Sequence, residues 1–204
     1  VFNRPHSIAL DGRGYLYVAD IGNHRIRRID LQTGIVDSIA GDGGRRLPKS
    51  GQAAGDNSVL GPRALIVDGT TLWVALREGH SVWTLDLERG VWDHVAGTGD
   101  KGYSGDGGPS KQATFNGPKG IAVGPQGAVY VVDTENHAIR KIDTVSGVIS
   151  TVAGRMPGMD RRKVRRDAAG QPPPTLNRPH GICVSAKGVI YIGDTLNHRV
   201  QRVR

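Results

Sequence analysis

A short segment headed by proline returns four times along the 204 residues, and this repetition restricts the possible folds more than any other feature. The marker prolines are Pro5, Pro62, Pro118 and Pro179, at intervals of 57, 56 and 61 residues. After each comes a short apolar run: SIALD, ALIVD, GIAVG, GICVS. A glycine-bearing turn and a second run follow: YLYVAD, TLWVAL, AVYVVD, VIYIGD. A tight turn ending in histidine (IGNH, REGH, TENH, TLNH) leads to a third run: RIRRID, SVWTLD, AIRKID, RVQRVR. The first three copies add a fourth: GIVDSIAG, GVWDHVAG, GVISTVAG. Apolar and polar residues alternate in these runs, as half-buried antiparallel strands require.

Four short antiparallel strands per repeat is the pattern of a β-propeller blade. A blade buries its faces only against its neighbours, so one copy alone would not be stable. The chain is therefore expected to be all-β, one domain over 1–204, with blades at approximately 2–57, 58–113, 114–174 and 175–204. Thirty glycines and few aromatics suit many short strands joined by turns. Tyr17, Trp73, Tyr130 and Tyr191 share one position in the second strand and are expected to form the layer between blades.

The third copy, Asn116 to Gly154, reads PKGIAV, AVYVVDTENHAIRKID and GVISTVAG, and is preceded by GYSGDGGP. It closely resembles the NHL repeat, and the four ordered copies extend that resemblance over essentially the whole chain. The resemblance implies a β-propeller, most often of six blades. Because the fourth copy reaches Arg204 after only three strands, the chain holds three full blades and three quarters of another. Two arrangements follow: part of a larger propeller, or four blades closed on themselves. The first is expected, since a bare sheet edge is a liability.

The formal charge of +8, from 27 Lys and Arg against 19 Asp and Glu, favours anionic partners. Cys183 is the one cysteine, which excludes an intramolecular disulfide and a multi-cysteine zinc site. No apolar run reaches the 18 residues of a membrane span. The first residues already lie within a repeat, so no leader peptide is expected among these residues. Composition does not assign a compartment.

The four copies provide an internal comparison: residues found in every copy serve the blade, and departures are better candidates for function. His24, His80, His137 and His198 occur in all four and read as turn residues. Asp20, Asp133 and Asp194 read as turn-locking acceptors, with Leu76 in their place in blade 2. Blade 2 also carries Trp73, Trp83 and Trp92. Trp83 stands where the others have Arg27, Arg140 and Gln201, on a face expected to meet solvent. It reads as a contact-surface residue or as an aromatic lying across the neighbouring blade.

The residue after the marker proline is His6, Arg63, Lys119 and His180 in turn, where the innermost strand begins beside the central channel. Four basic or potentially basic groups there would make one mouth of the channel positive, and a positive concavity attracts anions. RPHSIAL and RPHGICV also resemble, more distantly, segments of the peptidyl-hydroxyglycine amidating lyases. That resemblance implies a zinc ion held by three such histidines, with one position left open. This sequence has two, His6 and His180, and cations at the other positions. No nucleophile elbow, phosphate loop or HExxH occurs. The segment Gly102 to Pro118 lacks the spacing of an EF-hand and reads as a turn-rich connector, with weak calcium binding as the alternative.

The connector after blade 3 carries Arg161, Arg162, Lys163, Arg165 and Arg166 within six residues. It reads as a solvated loop or as a patch for RNA, phosphate head groups or an acidic protein face. It has no aromatics to stack on bases, though the NHL resemblance itself keeps RNA among the partners. The function expected is a non-catalytic NHL-repeat propeller that binds or scaffolds a protein partner through the His6, Arg63, Lys119 and His180 mouth and the Arg161–Arg166 loop. The alternatives are binding of RNA or another polyanion, and a zinc-dependent amidating-lyase-like enzyme at His6 and His180. No cofactor is expected under the first reading.

Overall fold

A computed structural model describes residues 1–154 and 174–203. Each copy of the repeat forms one antiparallel sheet. Blade 1 comprises β1 (Pro5–Leu10), β2 (Tyr15–Asp20), β3 (Arg25–Asp30) and β4 (Val36–Ala40). Blade 2 comprises β5 (Pro62–Asp68), β6 (Thr71–Leu76), β7 (Ser81–Asp86) and β8 (Val91–Ala96). Blade 3 comprises β9 (Gly120–Val123), β10 (Ala128–Asp133), β11 (Ala138–Asp143) and β12 (Ile149–Gly154). Blade 4 has three strands, β13 (Gly181–Val184), β14 (Ile190–Asp194) and β15 (Arg199–Val203). This is the β-propeller architecture that the repeats predict. No helix among the described residues is long and apolar enough to cross a membrane.

The first strand of each blade is innermost: β1 packs beside β5, β5 beside β9, and β9 beside β13. Among the described residues, no comparable packing joins β13 to β1. The core lies in three layers between successive blades. Tyr17 and Ile26 meet Leu65, Leu72 and Trp92 between blades 1 and 2. Ala75 and Val82 meet Phe115, Val129 and Ile142 between blades 2 and 3. Tyr130 and Ile139 meet Ile190 and Ile192 between blades 3 and 4. Tyr17, Tyr130 and their equivalents thus occupy the layer expected of them, except Tyr191 of blade 4, which is 41% exposed.

The recurrent polar residues join the blades together. His24, His80, His137 and His198 all adopt left-handed backbone, with φ between 44° and 56°. Nδ1 of His24 accepts from the N–H of Gly61 (3.1 Å), Nδ1 of His80 from Gly117 (3.0 Å), and Nδ1 of His137 from Arg178 (3.0 Å). Each donor is the residue before the next blade's marker proline, so the histidine ties its turn to the following blade. The aspartates lock the turns as expected. Asp133 accepts from the N–H of Asn116 (2.7 Å) and from Asn136 Nδ2 (2.8 Å), and Asp20 and Asp194 repeat both contacts.

Two connectors protect outer edges. The N–H of Gly51 donates to the carbonyl of Trp92 on β8 (2.7 Å), and the N–H of Trp92 donates to the carbonyl of Gln52 (3.1 Å). Gly107 donates to Ile149 on β12 (2.8 Å), and Ile149 donates to Gly108 (3.0 Å). Each connector therefore pairs with the outer strand of the blade that follows it, which blunts that edge.

Trp83 corrects one expectation. It is 5% exposed, its Nε1–H donates to Ser81 Oγ (2.9 Å), and it meets Trp92 edge-on at 6.5 Å. The reason is a paired exchange. In blade 3 the buried Arg140 lies 3.5 Å from Asp133, and in blade 1 Arg27 lies 3.9 Å from Asp20. Blade 2 replaces both partners, with Leu76 and Trp83, so no buried charge is left unpaired and the indole fills the space.

Candidate functional site: a basic channel mouth

The turn that precedes each inner strand places one basic side chain at the channel mouth. His6 and Arg63 are the second residues of β1 and β5, and Lys119 and His180 immediately precede β9 and β13. The structure brings all four together. Lys119 Nζ lies 3.4 Å from Nε2 of His180, which accepts from the ammonium and so carries its own hydrogen on Nδ1. His6, Arg63 and Lys119 line one cleft of about 380 Å³, together with Arg4, Arg45 and Arg77.

Two carboxylates temper this charge. Glu135 Oε1 accepts from Lys119 (2.8 Å) and Arg178 (2.7 Å), and Glu78 lies 3.6 Å from Arg77. Arg63 is half-buried and has no carboxylate partner among the described residues. Burial and the neighbouring Arg77 both lower its pKa. The histidines report the same field. His6 is held below its ordinary value by loss of solvent and then by Arg63 and Arg4. His180 is lowered by burial, then by Lys119 and Arg63, with Glu135 opposing. Both rings are therefore neutral at pH 7, and the permanent positive charge belongs to the arginines and Lys119.

Sequence reasoning missed Arg4, Arg45, Arg77, Glu135 and Arg178. One readable signal was the residue before each marker proline. It takes left-handed backbone in all four copies, as Arg4 (φ 53°), Gly61 (63°), Gly117 (60°) and Arg178 (44°). Glycine adopts that conformation without strain, whereas arginine does not. The run Arg161, Arg162, Lys163, Arg165 and Arg166 lies outside the described residues.

A zinc ion does not fit these side chains. The Lys119 ammonium holds His180 Nε2, the cations of the cleft oppose a second positive charge, and no group of three His, Cys, Asp or Glu that could ligate a metal exists among the described residues. The Gly102–Pro118 connector suits calcium no better. The carboxylate of Asp106 is taken by Arg140 (2.9 Å) and by the Tyr103 hydroxyl (3.3 Å).

Inner strands around an axis and a histidine tie between successive blades define a repeat-built β-propeller with a polar channel mouth. The NHL repeat family matches residues 2–29 and 176–203, and the teneurin NHL domain matches residues 84–169. The chain belongs to the NHL-repeat β-propellers. It is 29% identical to NHL repeat-containing protein 2 of Gallus gallus over 99% of this chain and 31% of that protein. It is 27% identical to teneurin-1 of Caenorhabditis elegans over 98% of this chain and 8% of that protein. The chain thus spans about a third, or far less, of the length of these relatives. A protein of unknown function from Bacteroides thetaiotaomicron superposes with a TM-score of 0.71 at 25% identity, over 98% of this chain and 47% of that one.

Proposed function

We propose that the chain is a non-catalytic NHL-propeller binding module whose channel mouth receives the acidic surface of a protein partner. The observation that carries this reading is Arg63, a half-buried guanidinium with a second arginine beside it and no carboxylate partner among the described residues. A buried cation left unpaired is costly, and a ligand that supplies the missing anion recovers that cost on binding. The other three basic groups surround it on successive blades, so one anionic surface can touch several blades together. The mouth offers His6 and His180 as neutral hydrogen-bonding groups rather than as acids or metal ligands.

The test uses a fluorescein-labelled polyglutamate peptide and fluorescence polarisation. The Arg63→Ser/Lys119→Ser double variant is expected to bind at least tenfold more weakly than the parent chain at low salt. Parental binding is expected to weaken as salt rises, because exposed charges are screened. Equal affinity of parent and double variant would overturn the assignment of the mouth.

A further inference from the structure

We infer that the cleft between the mouths of blades 1 and 2 is a phosphomonoester site; the inference rests on the reading of the mouth as an anion-binding surface and names its ligand. The charges in the cleft lead there. Of its cationic side chains, Lys119 is engaged by Glu135 and Arg77 by Glu78. Arg4, Arg45 and Arg63 have no carboxylate partner among the described residues. One carboxylate brings a single negative charge to three guanidiniums. A phosphate monoester brings about −1.5 to −2 and three strong acceptor oxygens. Guanidinium forks match that geometry in pairs, which an ammonium cannot do.

Four further observations agree. The cleft, at about 380 Å³, is roomy enough for a phosphate group and the atom that bears it. No Phe, Tyr or Trp lines it, so it lacks a broad platform on which successive bases would stack, and a phosphodiester backbone carries only one charge per phosphate. Arg4 also holds a strained left-handed backbone at a position where blades 2 and 3 have Gly61 and Gly117. That strain persists while the Arg4 side chain lines the cleft. Neutral His6 adds one N–H donor at the wall.

The experiment is a calorimetric titration with three probes: a phosphoserine peptide, the same peptide with glutamate at that position, and inorganic phosphate. The phosphopeptide is expected to bind the parent chain at least tenfold more tightly than its glutamate counterpart. Arg63→Lys, which keeps the charge and loses the fork, is expected to abolish that preference while binding the glutamate peptide within about threefold of the parent. Arg4→Gly relieves the backbone and so does not threaten folding; it is expected to raise the melting temperature and weaken phosphopeptide binding severalfold. Displacement of the phosphopeptide by inorganic phosphate at similar concentration assigns the site to free phosphate compounds; failure of phosphate to compete assigns it to phosphorylated proteins. Equal affinity for the phosphoserine and glutamate peptides would overturn the phosphate assignment and leave the acidic-partner reading standing. Binding of neither peptide would overturn both.

Discussion

Blades 3 and 4 carry nearly the same sequence and have different surroundings. Blade 3 is flanked on both sides, whereas one face of blade 4 is uncovered among the described residues. Ile139 in β11 is fully buried, and its equivalent Val200 in β15 is 72% exposed. Asp133 and Asp194 accept the same two hydrogen bonds, yet their acidities move in opposite directions. Burial dominates at Asp133 and pushes its pKa up to about 6, against the opposing pull of Asn136, Asn116 and Arg140. At Asp194 the burial cost is outweighed by the hydrogen bonds of Asn177, Asn197 and Arg199, and its pKa falls below the ordinary carboxylate value. Blade 1 repeats the pattern at the other end: Ile8 is 65% exposed, while its equivalents Leu65 and Ile121 are 6% and 7% exposed. In a propeller, a residue's environment is set by the neighbouring blade as much as by its own strand.

The comparison can be broken most forcefully at the buried charge pair. Arg140 is fully buried over the rings of Tyr103 and Phe115, whereas Arg199, which reaches Asp194 at 2.8 Å, is well exposed. Arg140→Ala is expected to cost about 3–5 kcal/mol, because Asp133 is left buried without its cation. Arg199→Ala is expected to cost under about 1 kcal/mol. Denaturant titration measures both, and equal costs would refute the contrast. Installing the blade 2 solution, Asp133→Leu with Arg140→Trp, is expected to recover much of the Arg140→Ala loss.

Truncation of the apolar pair comes next. Ile139→Ala is expected to cost about 2–5 kcal/mol, against within about 0.5 kcal/mol for Val200→Ala at its exposed position. The aspartate acidities give a smaller effect with a definite sign. A carboxyl whose folded pKa is raised stabilises the fold at low pH and loses that contribution as pH rises through the folded value. Asp133 is therefore expected to add about 1 kcal/mol on going from pH 7 to pH 5, a gain that Asp133→Asn removes. Asp194, being lowered, loses its contribution only as pH falls below the ordinary carboxylate range. The smallest contrast lies at the ties: His137→Ala is expected to cost about 1 kcal/mol by stranding the Arg178 N–H, and His198→Ala close to nothing. Thermal melts that rank these two in the opposite order would remove the tie from the account.

The blades could be read from the sequence because strand alternation and turn residues are local and were written four times. The turn aspartates were legible for the same reason. Trp83 was misread because its burial depends on Leu76, which comes close only across the β6–β7 pairing, and on Trp92 of β8. The mouth was half legible. His6, Arg63, Lys119 and His180 stand out at one repeat position, but Glu135 joins Lys119 and Arg178 from a different turn, beyond the reach of a pattern read along a strand. The histidine ties were recognised as turn features while their partners in the next blade were not, since the bonds span 37 to 41 residues.

The central claim is that the inner-strand residues of successive blades build one positive mouth. Titration of His6 and His180 by NMR, in the parent chain and in Arg63→Ser, tests it most directly. Both rings are predicted to titrate below the ordinary 6.5, and both pKa values are predicted to rise when Arg63 is removed, since it lowers each of them. Values at or above 6.5 in the parent chain, unmoved by the substitution, would contradict it.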